Sequence, residues 1–130
     1  MSAAIQPGLT ATVTLTVEPA HLASRWGSGG VDVLATPQMI GLMEQAAVAA
    51  LDHLLPEGHG SVGTRVEVSH LAATPVGGQV SACATLTEVD GRRVVFDVVA
   101  YEGTTKIGEG RHERFIVNLE RFMGRLRAPR

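Results

Sequence analysis

The chain of 130 residues has a single cysteine, Cys83, so no intrachain disulfide can form and nothing in its thiol content points to secretion. It has no apolar run approaching the roughly 20 residues needed to cross a bilayer. Residues 1–8 lack the basic start and long apolar segment of a signal peptide. They are expected to form a flexible leader ahead of a soluble, cytoplasmic domain. An excess of charge of one sign is missing too: eleven Lys and Arg stand against thirteen Asp and Glu, a net −2, which argues against a nucleic-acid binder held by bulk electrostatics. The one basic run, 121–130, reads as a solvated helix end in preference to a phosphate-binding tail. There is no HxxxH or CxxC spacing and no G-x-S-x-G elbow, so neither a metal site nor a serine nucleophile is expected. Gly58-His59-Gly60-Ser61-Val62-Gly63 matches the spacing of a dinucleotide fingerprint, but it follows a helix and opens a strand. A phosphate would then meet no helix N-terminus, and the match is rejected.

What the chain does have is a globular composition, 45% apolar and 18% charged, at a length suited to one domain spanning 1–130. Thr10 to Val17 alternates β-branched and apolar residues and predicts a half-buried strand. Gly27-Ser28-Gly29-Gly30 follows, either a plain connection or a mobile lid. Thr36 as N-cap and Pro37 at the first position predict a helix over 37–55, ending before Pro56-Glu57-Gly58. Its apolar side chains cover most of its circumference, so it is buried on several sides. From Ser61 onward the pattern is of strands, with Asp90-Gly91 predicting a type I′ hairpin and Glu102-Gly103-Thr104 a second. Residues 118–126 fit a short closing helix. One strand, one long helix and four antiparallel strands make an α+β pattern. The hot-dog architecture, five curved strands around a central helix, fits that order.

Glu44 is the one carboxylate in an otherwise apolar or neutral run of the helix. A solvated stripe or an arginine partner accounts for it as well as a catalytic role does. His70 closes the predicted strand 61–69, and a lone histidine there is more often structural than functional. Capping alone would explain Thr36. His21, His53, His59 and His112 have no partner visible in the sequence. Glu109, Arg111 and Glu113 alternate on one face, where cross-strand ion pairs explain them. Cys83, mid-strand among small residues, reads as a buried structural thiol.

Laid out in order, these residues resemble the fluoroacetyl-coenzyme A thioesterase branch of the hot-dog superfamily. The matching stretches are Ala35-Thr36, Gly41-Leu42-Met43-Glu44, Gly60-Ser61-Val62-Gly63-Thr64, residues 69–75, 88–93 and 107–114, spread over roughly residues 10–126. The resemblance implies hydrolysis of an acyl-CoA thioester by Thr36, Glu44 and His70, with the backbone near Gly63, flanked by Val62 and Thr64, beside the thioester. It also implies a homodimer with the site at the subunit seam, and no cofactor, since coenzyme A belongs to the substrate. Glu44 would act as a general base or as a nucleophile. Arg92 and Arg93, with Arg111 and Arg114, are the cations on hand for the phosphates. The fluoroacetyl-specific enzymes carry phenylalanines in the lid before the threonine; here Trp26 to Leu34 is shorter and has none, so fluoroacetate specificity does not follow. Three alternatives stand beside hydrolysis: a non-catalytic acyl-CoA-binding or sequestering module, a hydratase on the same fold (whose Asp/His motif is absent), and a structural dimer.

Overall fold

The structure, a computed structural model, describes residues 5–128. Strand β1 (Thr10–Thr16) leads through a 3-10 turn and a one-turn helix, α1 (Ala23–Trp26), to the long helix α2 (Thr36–Leu51). Strands β2 (His59–His70), β3 (Gln79–Asp90), β4 (Arg93–Glu102) and β5 (Thr105–Asn118) follow, and helix α3 (Leu119–Arg127) closes the chain. The strands form one antiparallel sheet in the order β1-β3-β4-β5-β2, so β2 is an edge. This is the expected hot-dog arrangement.

The core lies between α2 and one face of the sheet. Val80, Ala82, Ala84 and Leu86 of β3 and Val94, Phe96, Val98 and Ala100 of β4 are buried against Met39, Leu42, Met43, Ala46, Ala47, Ala50 and Leu51. The alanines bring the helix close, and Phe96 fills the centre with no exposure. A side chain of that size contributes about 2–3 kcal/mol by leaving water.

Four sequence expectations are corrected. Residues 1–4 of the expected leader lie outside the described residues. The rest of it is docked: Ile5 is buried in the core, and the Gly8 N–H donates to the Leu86 carbonyl at 2.8 Å. The helix ends at Leu51 and runs on as a 3-10 turn over Asp52–Leu54, rather than continuing to residue 55. Its N-cap is Ala35, and no side chain caps it, because Thr36 is already the first helical residue and its hydroxyl goes elsewhere. The hairpin loop is Gly91-Arg92, with Asp90 facing Arg93; only Gly91 has positive φ (60°), the signature of a type II′ turn and not of I′.

Candidate active site

Two polar clusters lie against α2. At its N-terminus, Thr36 Oγ1 and His70 Nδ1 are 2.8 Å apart. The link exists because Thr36 is freed from capping and because β2 extends to His70. The His70 Nε2 is buried with no hydrogen-bond partner among the described residues. Burial holds the imidazole below its ordinary pKa, with the Ala72 backbone offsetting part of the effect, so the ring is neutral at pH 7. The dyad opens into a cavity of about 300 Å³ walled by Ala23, Val31, Val33, Leu34 and Ala72. Roofing it is the glycine-rich segment, which is a tethered loop: Ser24 Oγ donates to Asp32 at 2.7 Å, the Ala23 N–H donates to the Val33 carbonyl at 2.8 Å, and the Trp26 indole donates to the Ala20 carbonyl at 2.7 Å.

The second cluster surrounds Glu44, eight residues and about 12 Å of helix further on. Glu44 Oε2 accepts from Arg114 Nη1 at 3.3 Å, while its side chain keeps 41% exposure. Arg114 is buried and fully engaged. Its Nε donates to Ser61 Oγ at 2.8 Å, its Nη2 to the Ser61 carbonyl at 2.9 Å, and its Nη1 also to His112 Nε2 at 3.0 Å. Because a guanidinium only donates, Nε2 of His112 must accept. Its Nδ1–H therefore donates to the Arg65 carbonyl, 2.9 Å away. Burial lowers the His112 pKa; the hydrogen bond to the Arg65 backbone opposes it, and the charges of Arg114 (lowering) and Glu44 (raising) add less, so the net shift is downward. The ring is thus neutral, and its 3.9 Å approach to Glu44 is not an ion pair. Ser61 in turn donates to Asp52 Oδ1 at 2.7 Å, and its N–H to Oδ2 at 3.2 Å. A chain Asp52–Ser61–Arg114–Glu44 so fixes the carboxylate from the far end of α2.

Gly63 lies directly on Glu44. A Cβ built there would stand 2.6 Å from Glu44 Oε2, 3.2 Å from His112 Cε1 and 3.4 Å from Arg114 Nη1. Next to it the β2–β5 register shifts between Gly63 and Arg65, a bulge that bends the edge strand at the carboxylate. Gly63→Ala is expected to push the carboxylate aside and lower kcat about 10–100-fold. Its φ is ordinary, so the melting temperature should shift little; kcat measured beside a melting curve checks this.

The other expected residues divide. Val62 sits opposite Phe115, and Thr64, at the bulge, donates to the Glu113 carbonyl at 3.2 Å. Arg93 is not a free cation: it pairs with Glu88 at 2.6 Å and Glu113 at 2.9 Å, which raises its pKa and lowers that of Glu113. Arg114 is likewise committed. Arg92 faces a groove beside α3. Cys83 is only partly buried, beside Thr10 Oγ1 at 3.3 Å. Among the described residues no group of three or more His, Cys, Asp or Glu could hold a metal, and no helix is long and apolar enough to cross a membrane.

The family model for the fluoroacetyl-CoA-specific thioesterase matches residues 17–120, which span both clusters. The chain belongs to that family. Among its relatives, the fluoroacetyl-CoA thioesterase of Streptantibioticus cattleyicolor is 46% identical over 96 residues, 74% of this chain and 69% of the relative. A solved structure of a phenylalanine-to-alanine variant of the fluoroacetyl-CoA-specific thioesterase, in complex with fluoroacetate and CoA, is 38% identical. It superposes with a TM-score of 0.86 over 91% of this chain and 99% of that one. A Thermus thermophilus member of the thioesterase superfamily is 32% identical, with a TM-score of 0.87 over 95% and 91%. Within this thioesterase family, the present chain's Arg114, His112, Ser61 and Asp52 around Glu44 are residues that sequence reasoning left without such a role.

Proposed function

We infer that this fluoroacetyl-CoA thioesterase family member hydrolyses an acyl-CoA to the free acid and coenzyme A, with residues 1–130 acting as one hot-dog unit. The observation that carries this reading is a carboxylate, Glu44, held by a buried guanidinium yet open to solvent beside a glycine. Such a group either takes a proton from the attacking water or attacks the thioester carbon itself. The thiolate of coenzyme A leaves in both routes. The Thr36 N–H, at the positive end of α2 and without a backbone partner among the described residues, receives the developing oxyanion in this reading. The dyad beside it, Thr36 with neutral His70, positions water and moves protons.

In one protomer Glu44 touches neither Thr36 nor His70, and a second copy resolves this. Strand β2 is a sheet edge whose stretch Gly63–Glu67 is exposed, Val66 to 40%. Unpaired edges of this kind seek a partner. Antiparallel pairing of two β2 strands about a twofold between Val66 and Glu67 sets residue 63 of one subunit opposite residue 70 of the other. Glu44 and Gly63 from one subunit then meet Thr36 and the unpartnered His70 Nε2 from its mate. Each dimer holds two such sites.

The aliphatic cavity at the dyad, open along its Val31 rim, favours small to medium aliphatic acyl groups larger than fluoroacetyl. Thiol release measured over short, branched and aromatic acyl-CoAs tests the activity. Binding in calorimetry without turnover of any of them would replace this reading with the sequestering one. Mixing inactive Glu44→Ala subunits with inactive His70→Ala subunits tests the shared site. Random exchange should restore about a quarter of wild-type activity, one intact site in every mixed dimer. No recovery after verified exchange would put the whole site within one protomer.

A further inference from the structure

Every carboxylate-paired arginine among the described residues lies on the sheet: Arg65 with Glu67, Arg93 with Glu88 and Glu113, Arg111 with Asp97, and Arg114 with Glu44. Of the arginines outside these pairs, three converge. Arg92, in the β3–β4 turn, and Arg121 and Arg125, one turn apart on α3, line one groove of about 190 Å³, and none has a carboxylate within 4 Å among the described residues. Asn118 caps α3 by accepting from the Arg121 N–H at 2.9 Å, which fixes the first turn and sets Arg121 and Arg125 on one face. The same groove presents Phe115 and Phe122, and Phe115 is 40% exposed on a strand face otherwise given to ion pairs. Three unneutralised guanidinium groups beside two aromatic rings match a ligand with several phosphates and a flat base.

The groove's location narrows the ligand. Phe115 pairs with Val62 next to the Gly63–Arg114 pair, with its ring on the sheet face opposite to Arg114. Arg92 also borders a second cavity, of about 450 Å³, walled by Pro56, His59 and Ile116; Ile116 shares its sheet face with Arg114. Asn118, at the groove, ends β5 about 13 Å of strand beyond Arg114, within the reach of a pantetheine arm. Resting on the thioesterase reading above, we propose that this groove binds the adenosine 3′,5′-bisphosphate end of coenzyme A. Arg92, Arg121 and Arg125 take the phosphates, and Phe115 and Phe122 flank the adenine. The basic helix end is therefore a recognition element and not merely a solvated terminus.

The test compares wild type with an Arg121→Ala/Arg125→Ala double variant, whose side chains make no core contact and whose melting temperature should be unchanged. Free adenosine 3′,5′-bisphosphate should bind wild type in calorimetry, more weakly as salt rises, and bind the variant about tenfold or more weakly. In turnover, KM for an acyl-CoA should rise by a similar factor with kcat within about twofold, while the matching acyl-pantetheine, which lacks the nucleotide, should be hydrolysed equally by both proteins. Equal nucleotide binding by the two proteins overturns the proposal, as does an equal loss on acyl-pantetheine. Nucleotide binding that depends on the arginines in a protein that hydrolyses nothing would uphold the groove and remove the catalytic reading. Hydrolysis of acyl-CoA with a KM indifferent to the variant would do the reverse.

Discussion

Glu44→Ala is expected to lower kcat about 10³-fold or more while leaving the fold intact, as measured by thiol release beside thermal melting. The two effects separate because of where the carboxylate sits. At 41% exposure its pairing with Arg114 is screened, so little stability rests on it. Arg114 keeps Ser61 and His112 when Glu44 is gone. Chemistry, by contrast, loses the carboxylate that lies on Gly63. Glu44→Gln sharpens the test: an amide keeps the size and can accept from Arg114, yet it neither takes a proton nor forms an anhydride. Substantial turnover in both variants would sink the mechanism.

Arg114→Met is expected to be the costliest single change to stability, at about 3–5 kcal/mol, a fall in melting temperature of roughly 10–20 °C for a chain of this size. Methionine fills much of the space but donates nothing. The Ser61 carbonyl, the Ser61 hydroxyl and His112 Nε2 would each lose a donor where water has little access. The penalty arises on that buried side and not from the exposed pair with Glu44. Arg114→Lys keeps the charge but cannot reach all these acceptors from one planar fork, so it should recover only part of the loss. Both variants also release the carboxylate, and kcat should fall with stability. A denaturant titration beside kinetics checks the pair of effects; a variant as stable as wild type would show the network to be incidental.

The hot-dog order was legible in the sequence because the signals were local. Alternation marks β1, a proline-led apolar run marks α2, and Asp90-Gly91 marks a hairpin. Glu44 and His70 were legible as candidates by their chemistry. The residues around Glu44 were hidden by one extra residue. Extending the hairpin register from Glu102 opposite Thr105 would set Phe96 opposite Arg111, with the odd-numbered residues of β5 on the core face. A bulge between Ala100 and Tyr101 shifts the pairing, so that Phe96 meets His112 and Val94 meets Arg114. The inward face of β5 is thereby inverted, and an arginine and a histidine that pattern alone places in water enter the core. The Thr36–His70 contact was hidden for a different reason: a good capping residue one position too late makes no cap, and that position is set by the fold and not by local pattern.

The loop over the Thr36–His70 cavity is rooted by the bridges Leu22 to Leu34 and Val33 to Pro75 and closed on itself through Ser24 and Asp32. Its two ends meet before the chain reaches α2. Residues can thus be added or deleted between Trp26 and Val31 without moving the register of any strand or the phase of the helix. On the proposed reading, acyl preference in this chain is built as an exchangeable part, free to drift while the carboxylate, its arginine and the sheet beneath them stay fixed.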